Sequence, residues 1–332
     1  MTVPSPAGDP PPARGPKFLP FSRGWPLLAG VLAGIALRLV FSGKPGDPYA
    51  TMLGSFIYLV PMLVGAVTVY AAERLGRRSF GYYLWAPFVA NVFFVFGTLL
   101  ILIEGLICAI VIVPLFALLG SIGGLAMGVV CRITNWPKQT LYGLWALPLL
   151  LGAVESQLPL PTRERAVEAS RLIQASPETV WRHIHDARAI QPHEVDAAFF
   201  FRIGVPLPEA GISKLTPEGR VREIRMGKAV HFEQVVTEWE EQRHVRWVHR
   251  YTADSFPRHA LDDHVVLGGH YFDIHTIAYR LVPRGPATEL QLRMEYRVST
   301  PFNWYADPLA RWMLENFEDV LLRFYQRRSE AR

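Results

Sequence analysis

The chain has 332 residues, of which 50% are hydrophobic and only 19% are charged. Soluble domains carry about 25% charged residues, so this composition argues against a purely soluble enzyme and against a disordered protein. The formal net charge is +5, yet residues 1–155 carry 10 Lys and Arg against 5 Asp and Glu, whereas residues 156–332 carry 24 of each sign. Because the positive excess is confined to the apolar half, the charge does not predict a nucleic-acid partner.

The N-terminal half has the pattern of a membrane region. Residues 1–24 are rich in proline and have no apolar period, which predicts a disordered tail. The following stretch, residues 25–156, contains long uncharged runs, and a spanning helix needs about 20 apolar residues. The predicted transmembrane helices are residues 25–42, 51–72, 82–103 and 105–131, with a possible fifth at 140–155.

Two charged residues interrupt these apolar runs. Glu104 divides the 49-residue run 82–130, which predicts a tight helical hairpin that turns at this residue. The alternative is a buried ionisable group in a proton or ion path. Arg38 lies near one end of its helix, where its side chain is expected to extend to the lipid headgroups. Two such residues give little support to transport, since transporters usually place several polar groups near the bilayer midplane.

Basic residues flank the predicted helices unequally. One side holds Arg14, Lys17, Arg23, Arg74, Arg77, Arg78, Arg132 and Lys138, and the other holds Lys44 and Arg38. By the positive-inside rule we expect a multi-pass cell-membrane protein with a cytoplasmic N-terminus. The side of the C-terminal half stays open, because the uncharged core of the fifth segment is only 14 residues long. If that segment crosses the bilayer, the C-terminal half lies outside the cytoplasm; if it lies flat or re-enters, that half lies inside.

The C-terminal half has the pattern of an α+β domain. A rough strand at 167–175 is followed by Ser176-Pro177-Glu178, which is typical of a helix start, and we predict a helix over 177–187. The next predicted strands are 199–205, 221–226, 230–239, 243–251, 271–282 and 288–299, with a hairpin connection at 283–286. Apolar residues then recur at helical spacing from Asp307 onward, which predicts a final helix of about 23 residues and roughly 34 Å.

This half resembles a known superfamily. Residues 173–186, with the sequence IQASPETVWRHIHD, and the order of elements are similar to the SRPBCC superfamily, which includes START, polyketide-cyclase and birch-allergen-like proteins. Residues 202–208 and the start of the first membrane helix resemble a bacterial group that joins several membrane passes to such a domain. The resemblance implies a helix-grip fold over residues 164–330, in which a seven-stranded antiparallel sheet curls around the last helix and encloses an apolar cavity. It implies no catalytic signature shared by all branches, and fold alone does not fix function.

Several side chains are candidates for a site in this domain. Six aromatic residues are predicted to line the cavity, with packing in the core alone as the alternative: Phe232, Trp247, Tyr279, Tyr296, Trp312 and Phe317. Acid–base groups on strands include His231 and His249, and the weak catalytic candidates are Glu233, Asp273 and His275. The alternative is that these polar groups lie on the surface, because a one-residue error in strand parity reverses every assignment.

Metal and cofactor sites are not expected. His259, Asp263 and His264 have the residue types of a metal site, but they match no zinc spacing and lie in a Gly- and Asp-rich connection. We therefore interpret them as part of a solvated loop. The sequence also lacks a GxSxG motif, a phosphate-binding Walker loop and a dinucleotide-binding glycine pattern.

These observations predict a membrane α-helical region followed by an α+β helix-grip domain. The expected function is binding of an apolar ligand, such as a lipid, an isoprenoid or a polyketide-like molecule, with the bilayer as the other partner. One alternative is an enzyme of the cyclase, dehydrase or hydrolase type that uses inward His and acidic residues. The other is a structural or sensory membrane protein without a ligand. The pattern favours a non-enzyme and leaves the ligand and the oligomeric state open.

Overall fold

The computed structural model describes residues 24–134, 138–257, 260–261, 264 and 266–331. The predicted tail and the metal candidates His259 and Asp263 therefore lie outside the described residues, apart from Gly24 at the end of that tail.

In the described part of the N-terminal half, helices occupy most of each apolar run. The helices are α1 (Trp25–Val40), α2 (Val60–Glu73, preceded by a π-helical turn at Ser55–Leu59), α3 (Phe80–Leu100), α4 (Leu106–Ile133) and α5 (Lys138–Val154). Three of these stretches are long and apolar enough to cross a membrane: Ser55–Glu73, Phe80–Leu100 and Leu106–Ile133. Their bounds lie within a few residues of those predicted from the apolar runs.

Glycines allow α2 and α4 to pack closely. A Cβ atom on Gly65 of α2 would lie 2.0 Å from the carbonyl oxygen of Gly120 on α4. No side chain fits in that space, so the two backbones approach each other as small residues permit in membrane helix pairs. The bundle is therefore a close-packed support for the domain that follows it.

The turn predicted at Glu104 is confirmed, since α3 ends at Leu100 and α4 begins at Leu106. The expectation for Arg38 is wrong. Its side chain is buried and Nε donates to Glu104 Oε1 at 2.6 Å, while its other nitrogens donate to the carbonyl oxygens of Phe41 and Ile103. A carboxylate and two carbonyl groups inside the bundle replace the headgroups as partners of the guanidinium.

The C-terminal half forms a curved antiparallel sheet around a long helix. In the described residues, the strands are β1 (Thr162–Ile173), β2 (Asp186–Ala187), β3 (Pro208–Thr216), β4 (Gly219–Met226), β5 (His231–Glu240), β6 (His244–Arg250), β7 (Phe272–Arg284) and β8 (Ala287–Ser299), in the order β1-β8-β7-β6-β5-β4-β3-β2. The helices are α6 (Pro177–His185), α7 (Pro192–Val195), α8 (Phe199–Arg202) and α9 (Asn303–Glu330). This is the expected helix-grip fold, with eight strands instead of seven. The hairpin between β7 and β8 is confirmed by the pairing of Arg284 with Ala287.

Two sequence-based assignments in this domain are wrong. Residues 199–205 were predicted as a strand, but Phe199–Arg202 is the short helix α8, whose first N–H, that of Phe199, donates to Asn316 Oδ1 of α9 at 2.8 Å. A contact distant in sequence therefore sets the conformation of an aromatic run with high strand propensity. The second error is that β3 was not predicted, because Pro208 and Gly211 weaken its strand pattern.

The helix bundle and the domain share a continuous interior. Phe302, at the start of α9, is buried among bundle residues, and Tyr305 OH donates to the carbonyl oxygen of Val111 at 2.7 Å. Beside them, Trp304 Nε1 donates to Tyr58 OH at 2.7 Å. Consequently, the first turn of α9 lies against the helices that precede the domain.

Candidate ligand-binding cavity

A cavity of about 320 Å³ lies between the inner face of the sheet and α9. This volume is within the range of about 300–1,000 Å³ that is typical of small-molecule sites. Most of the lining is apolar: strands contribute Ile224, Met226, Phe232, Ile274 and Ile277, and α9 contributes Leu309, Met313, Phe317 and Leu321. The site is therefore suited to a molecule that is mainly hydrocarbon.

Residues from the helix bundle close one end of the cavity. Met52 precedes the π-helical turn, and Ile107 and Val111 are one turn apart on α4, so the latter two share a face. The neighbouring α4 residues Leu106 and Ile110 are 47% and 40% exposed. Hence one apolar face of α4 lines the cavity and a second apolar face is exposed on the outside of the bundle. Only the width of this helix separates the cavity from that outer surface.

The other end of the cavity contains a buried arginine. Arg222 on β4 is 7% exposed; its Nη2 donates to Tyr325 OH at 3.0 Å and its Nη1 donates to Gln234 Oε1 at 3.2 Å. The guanidinium lies 5.4 Å from the centre of the Trp247 ring. A Cβ atom on Gly211 would be 2.6 Å from Nη2, so the absence of a side chain there makes room for the charge.

A histidine extends this polar end. His249 Nε2 is 3.1 Å from Gln234 Nε2, and His249 Nδ1 is 2.9 Å from the carbonyl oxygen of Ile274. Since an amide nitrogen and a carbonyl oxygen have fixed roles, Nε2 accepts and Nδ1 donates, which is the arrangement of a neutral ring. Burial lowers the pKa of His249 to about 4, in agreement with that assignment. Arg222 is therefore the charged member of this group at neutral pH.

The six predicted cavity residues fall into two groups. Phe232, Tyr279 and Phe317 belong to the described lining. The other three lie elsewhere. Trp247 is fully buried behind Arg222, Tyr296 donates its hydroxyl to Asp307 Oδ1 at 3.3 Å, and Trp312 is 48% exposed on the outside of α9.

The three catalytic candidates also lie outside the described lining. Glu233 Oε2 pairs with Arg250 Nη2 at 2.5 Å, and Asp273 Oδ2 lies 3.1 Å from His275 Nδ1. Strand parity explains the placement of Glu233 and Asp273: each lies between two residues that face the cavity, Phe232 and Gln234 on β5 and Phe272 and Ile274 on β7. His275 lies where the register of β7 shifts, between Ile274 and Thr276. Among the described lining residues there is no Asp or Glu.

The remaining metal candidate lies between the domain and the bundle. His264 Nε2 is 3.0 Å from Thr51 Oγ1 and 3.9 Å from Glu104 Oε2, and the residue also belongs to the cavity lining. In the part of the chain that the structure describes, no group of three or more His, Cys, Asp or Glu residues could hold a metal ion. His264 is thus placed as a contact between the two halves.

Arg222, Gln234 and Tyr325 belong to the site but were not among the residues predicted from the sequence. A signal for Arg222 exists in β4, because alternate residues of a strand share a face, and Arg222 shares one with Ile224 and Met226. An arginine in register with apolar residues indicates a charge that faces the interior.

Comparison with known proteins agrees with this fold. Residues 164–327 match the family described as polyketide cyclase / dehydrase and lipid transport. No curated protein matches the chain. The C-terminal half of the chain is thus similar to this family over the whole α+β domain, from β1 to α9.

Solved structures with similarity to this domain have low sequence identity. A START superfamily protein from Mycobacterium smegmatis is 16% identical, with a TM-score of 0.33, over 50% of this chain and 97% of its own. Zhui aromatase/cyclase from Streptomyces sp. R1128 is 15% identical, with a TM-score of 0.30, over 51% and 98%. Truncated norcoclaurine synthase from Thalictrum flavum is 12% identical, with a TM-score of 0.31, over 53% and 99%.

Proposed function

We propose that this protein binds an apolar ligand, such as a lipid, an isoprenoid or a polyketide-like molecule, in a helix-grip domain that its N-terminal helices tether to a membrane. The observation that carries the proposal is the cavity, which has apolar walls in the domain and is closed at one end by Met52, Ile107 and Val111 of the bundle. A ligand in this cavity contacts both halves of the chain at once.

The exposed surface of the bundle supports the tether. Large apolar side chains such as Trp85, Leu100 and Ile133 are 63%, 65% and 77% exposed. In water such a surface is unfavourable, whereas a bilayer removes it from water. An apolar ligand is also concentrated in the bilayer and scarce in water, so the tether brings the cavity close to its supply.

The course of α5 supports a domain on the non-cytoplasmic side. Near its start, Leu141 packs in a cluster with Tyr83 and Cys131, close to the basic end of the bundle. At its end, the carbonyl oxygen of Gly152 accepts a hydrogen bond from Tyr49 N at 3.0 Å. Its 17 residues correspond to about 25 Å of helix. An α5 that crosses the bilayer places the domain opposite the basic loops, which the positive-inside rule assigns to the cytoplasm.

The side of the domain is tested with a reporter fused after Arg332. Alkaline phosphatase folds to an active form only outside the cytoplasm, so the proposal predicts activity from this fusion. A fusion after Arg78, in the short loop between α2 and α3, is the matched control and should be inactive. The reverse pattern would place the domain in the cytoplasm.

Ligand binding is tested by lipid extraction and mass spectrometry of the full chain purified in mild detergent. We expect one lipid class to be enriched over the bulk extract. Ala310 lines the cavity, so Ala310→Trp fills it, and the enrichment should disappear. Ala166→Trp on the exposed face of β1 is the matched control and should retain the ligand. Equal lipid content in all three proteins would contradict the proposal.

One observation favours an enzyme of the cyclase or dehydrase type as the second candidate. His249 lines the cavity as a neutral imidazole whose Nδ1 is oriented by the Ile274 carbonyl group, as in a general base. Its Nε2 already accepts from Gln234, so proton abstraction requires that amide to move. A ligand recovered chemically unchanged after prolonged incubation with the protein would exclude this alternative.

A further inference from the structure

Arg222 is buried without a visible counter-charge. Arginine stays protonated in proteins and has five N–H donors. Two of its nitrogens donate to the neutral groups of Tyr325 and Gln234, while Nε is buried without a partner. In the described residues the cavity lining supplies no carboxylate.

A nearby carboxyl does not neutralise this arginine. Glu318 on α9 is fully buried. The charges of Glu318 and Arg222 both affect the pKa of the Tyr279 hydroxyl group. Burial raises the pKa of Glu318 to about 8, so this group is mainly protonated at neutral pH. The positive charge at the Arg222 end of the cavity is therefore left for a ligand to balance.

The position of Arg222 gives a bound molecule a direction. On α9, Tyr305 contacts Val111 of the bundle, and Tyr325 contacts Arg222. Twenty residues separate these two tyrosines, which corresponds to about 30 Å along the helix. The charged end of the cavity and the end that the bundle closes are therefore far apart, with apolar walls between them.

We propose that Arg222 binds the anionic oxygen head group, a carboxylate or a phosphate, of an amphiphile whose apolar tail extends towards Ile107 and Val111. Guanidinium N–H groups match the oxygen spacing of both anions, and Arg222 belongs to the cavity lining, in whose described residues there is no carboxylate. Tyr325 and Gln234 hold the guanidinium in place, and Gly211 leaves room beside it. This inference rests on the proposed function and names the ligand class of the same cavity.

The experiment compares three 16-carbon probes: palmitic acid, hexadecyl phosphate and 1-hexadecanol. Each is titrated by native mass spectrometry into the full chain after co-purified lipid has been removed. We expect at least one anionic probe to bind about tenfold or more tightly than the alcohol, as for a hydrogen bond to a charged group. The anion that binds more tightly identifies the head group.

Variants assign this preference to Arg222. Arg222→Gln should reduce the preference for the anionic probe to about twofold or less, with alcohol binding retained. Arg225→Gln is the matched control, because Arg225 lies on the exposed face of the same strand and pairs with Glu223. It should leave the preference unchanged.

The outcomes separate this inference from the proposed function. Equal binding of all three probes to the wild-type chain would overturn the head-group assignment and leave apolar binding intact. A preference that persists in Arg222→Gln would also overturn it. Binding of no probe would overturn both. Because the comparison within the wild-type chain needs no variant, the inference stays testable even if Arg222→Gln does not fold.

Discussion

Two buried arginines, one in each half of the molecule, have the same exposure and very different surroundings. Arg38 in the bundle and Arg222 in the domain are each 7% exposed. Arg38 donates to the Glu104 carboxylate at 2.6 Å and to two backbone carbonyl groups. Among the described residues, the hydrogen-bond partners of the Arg222 side chain are the neutral groups of Tyr325 and Gln234.

The difference distinguishes a buried charge that stabilises the fold from a buried charge that can bind a ligand. A buried ion is costly unless it is paired and hydrogen-bonded. The chain itself meets this requirement for Arg38, whose pair with Glu104 joins α1 to the α3–α4 turn. For Arg222 the chain supplies two neutral hydrogen-bond acceptors among the described residues, and this arginine lines the cavity. A buried charge is therefore informative about a ligand when the protein supplies no counter-ion.

The largest expected effect is on the paired arginine. Glu104→Gln leaves the Arg38 charge buried without its carboxylate, so we expect the free energy of unfolding to fall by about 3 kcal/mol or more. Thermal unfolding of the full chain in detergent measures the change. Glu233→Gln is the control, since its pair with Arg250 is exposed and its loss should have little effect. An equal response of the two variants would mean that the Arg38–Glu104 pair is not structural.

The next effect concerns pH and Glu318. The folded chain keeps a proton on Glu318 up to pH of about 8, while an unfolded chain releases it near the ordinary pKa of 4.5. Folding is therefore disfavoured progressively as the pH rises from about 5 to 8, and Glu318→Gln should remove that loss. We expect the variant to be more stable than the wild type at pH 9 by several kcal/mol, at most about 5 kcal/mol for a pKa shift from 4.5 to about 8, with little difference at pH 4.

The pH profile of thermal unfolding tests this expectation. Glu241→Gln, in the exposed turn between β5 and β6, is the control and should follow the wild-type profile. Parallel profiles of wild type and Glu318→Gln would mean that Glu318 is ionised in the folded chain, and the counter-charge argument for Arg222 would then weaken.

The smallest expected effect is on the unpaired arginine. Arg222→Met removes a charge without a counter-ion together with two hydrogen bonds, so the opposing contributions should leave stability within about 1 kcal/mol of the wild type. The measurement is thermal unfolding of protein stripped of lipid. A loss of stability as large as that caused by Glu104→Gln would show that the fold depends on Arg222. It would contradict the proposed difference between the two arginines.

Periodic patterns made most of the fold predictable. The uncharged runs located the helices, and the alternation of β8 identified it as a strand with one buried face. Prediction failed where contacts between residues distant in sequence determine the local conformation. The Asn316 side chain stabilises α8 in an aromatic run, and the weak pattern of β3 includes Gly211, which makes room for Arg222.

The site was less predictable, because it depends on strand parity. Phe232 and Tyr279 were placed at the cavity, but Glu233, Asp273 and His275 lie on the opposite faces of the same strands. Within the sequence of β4, the alternation of residues shows only that Arg222 lies on the same face as apolar residues. Its role depends on partners from β5 and α9, which the local sequence pattern does not contain.

The central claim is that an amphiphile occupies this cavity with its tail at the bundle. The most direct measurement is photo-crosslinking of the full chain in lipid nanodiscs, followed by peptide mapping. The probe is a 24-carbon fatty acid, long enough to reach from Arg222 to the bundle, that carries a diazirine at its terminal carbon. The account predicts cross-links on Met52, Ile107 or Val111 that disappear in Ala310→Trp. Cross-links confined to outward residues such as Trp85, with the same pattern in both proteins, would contradict it.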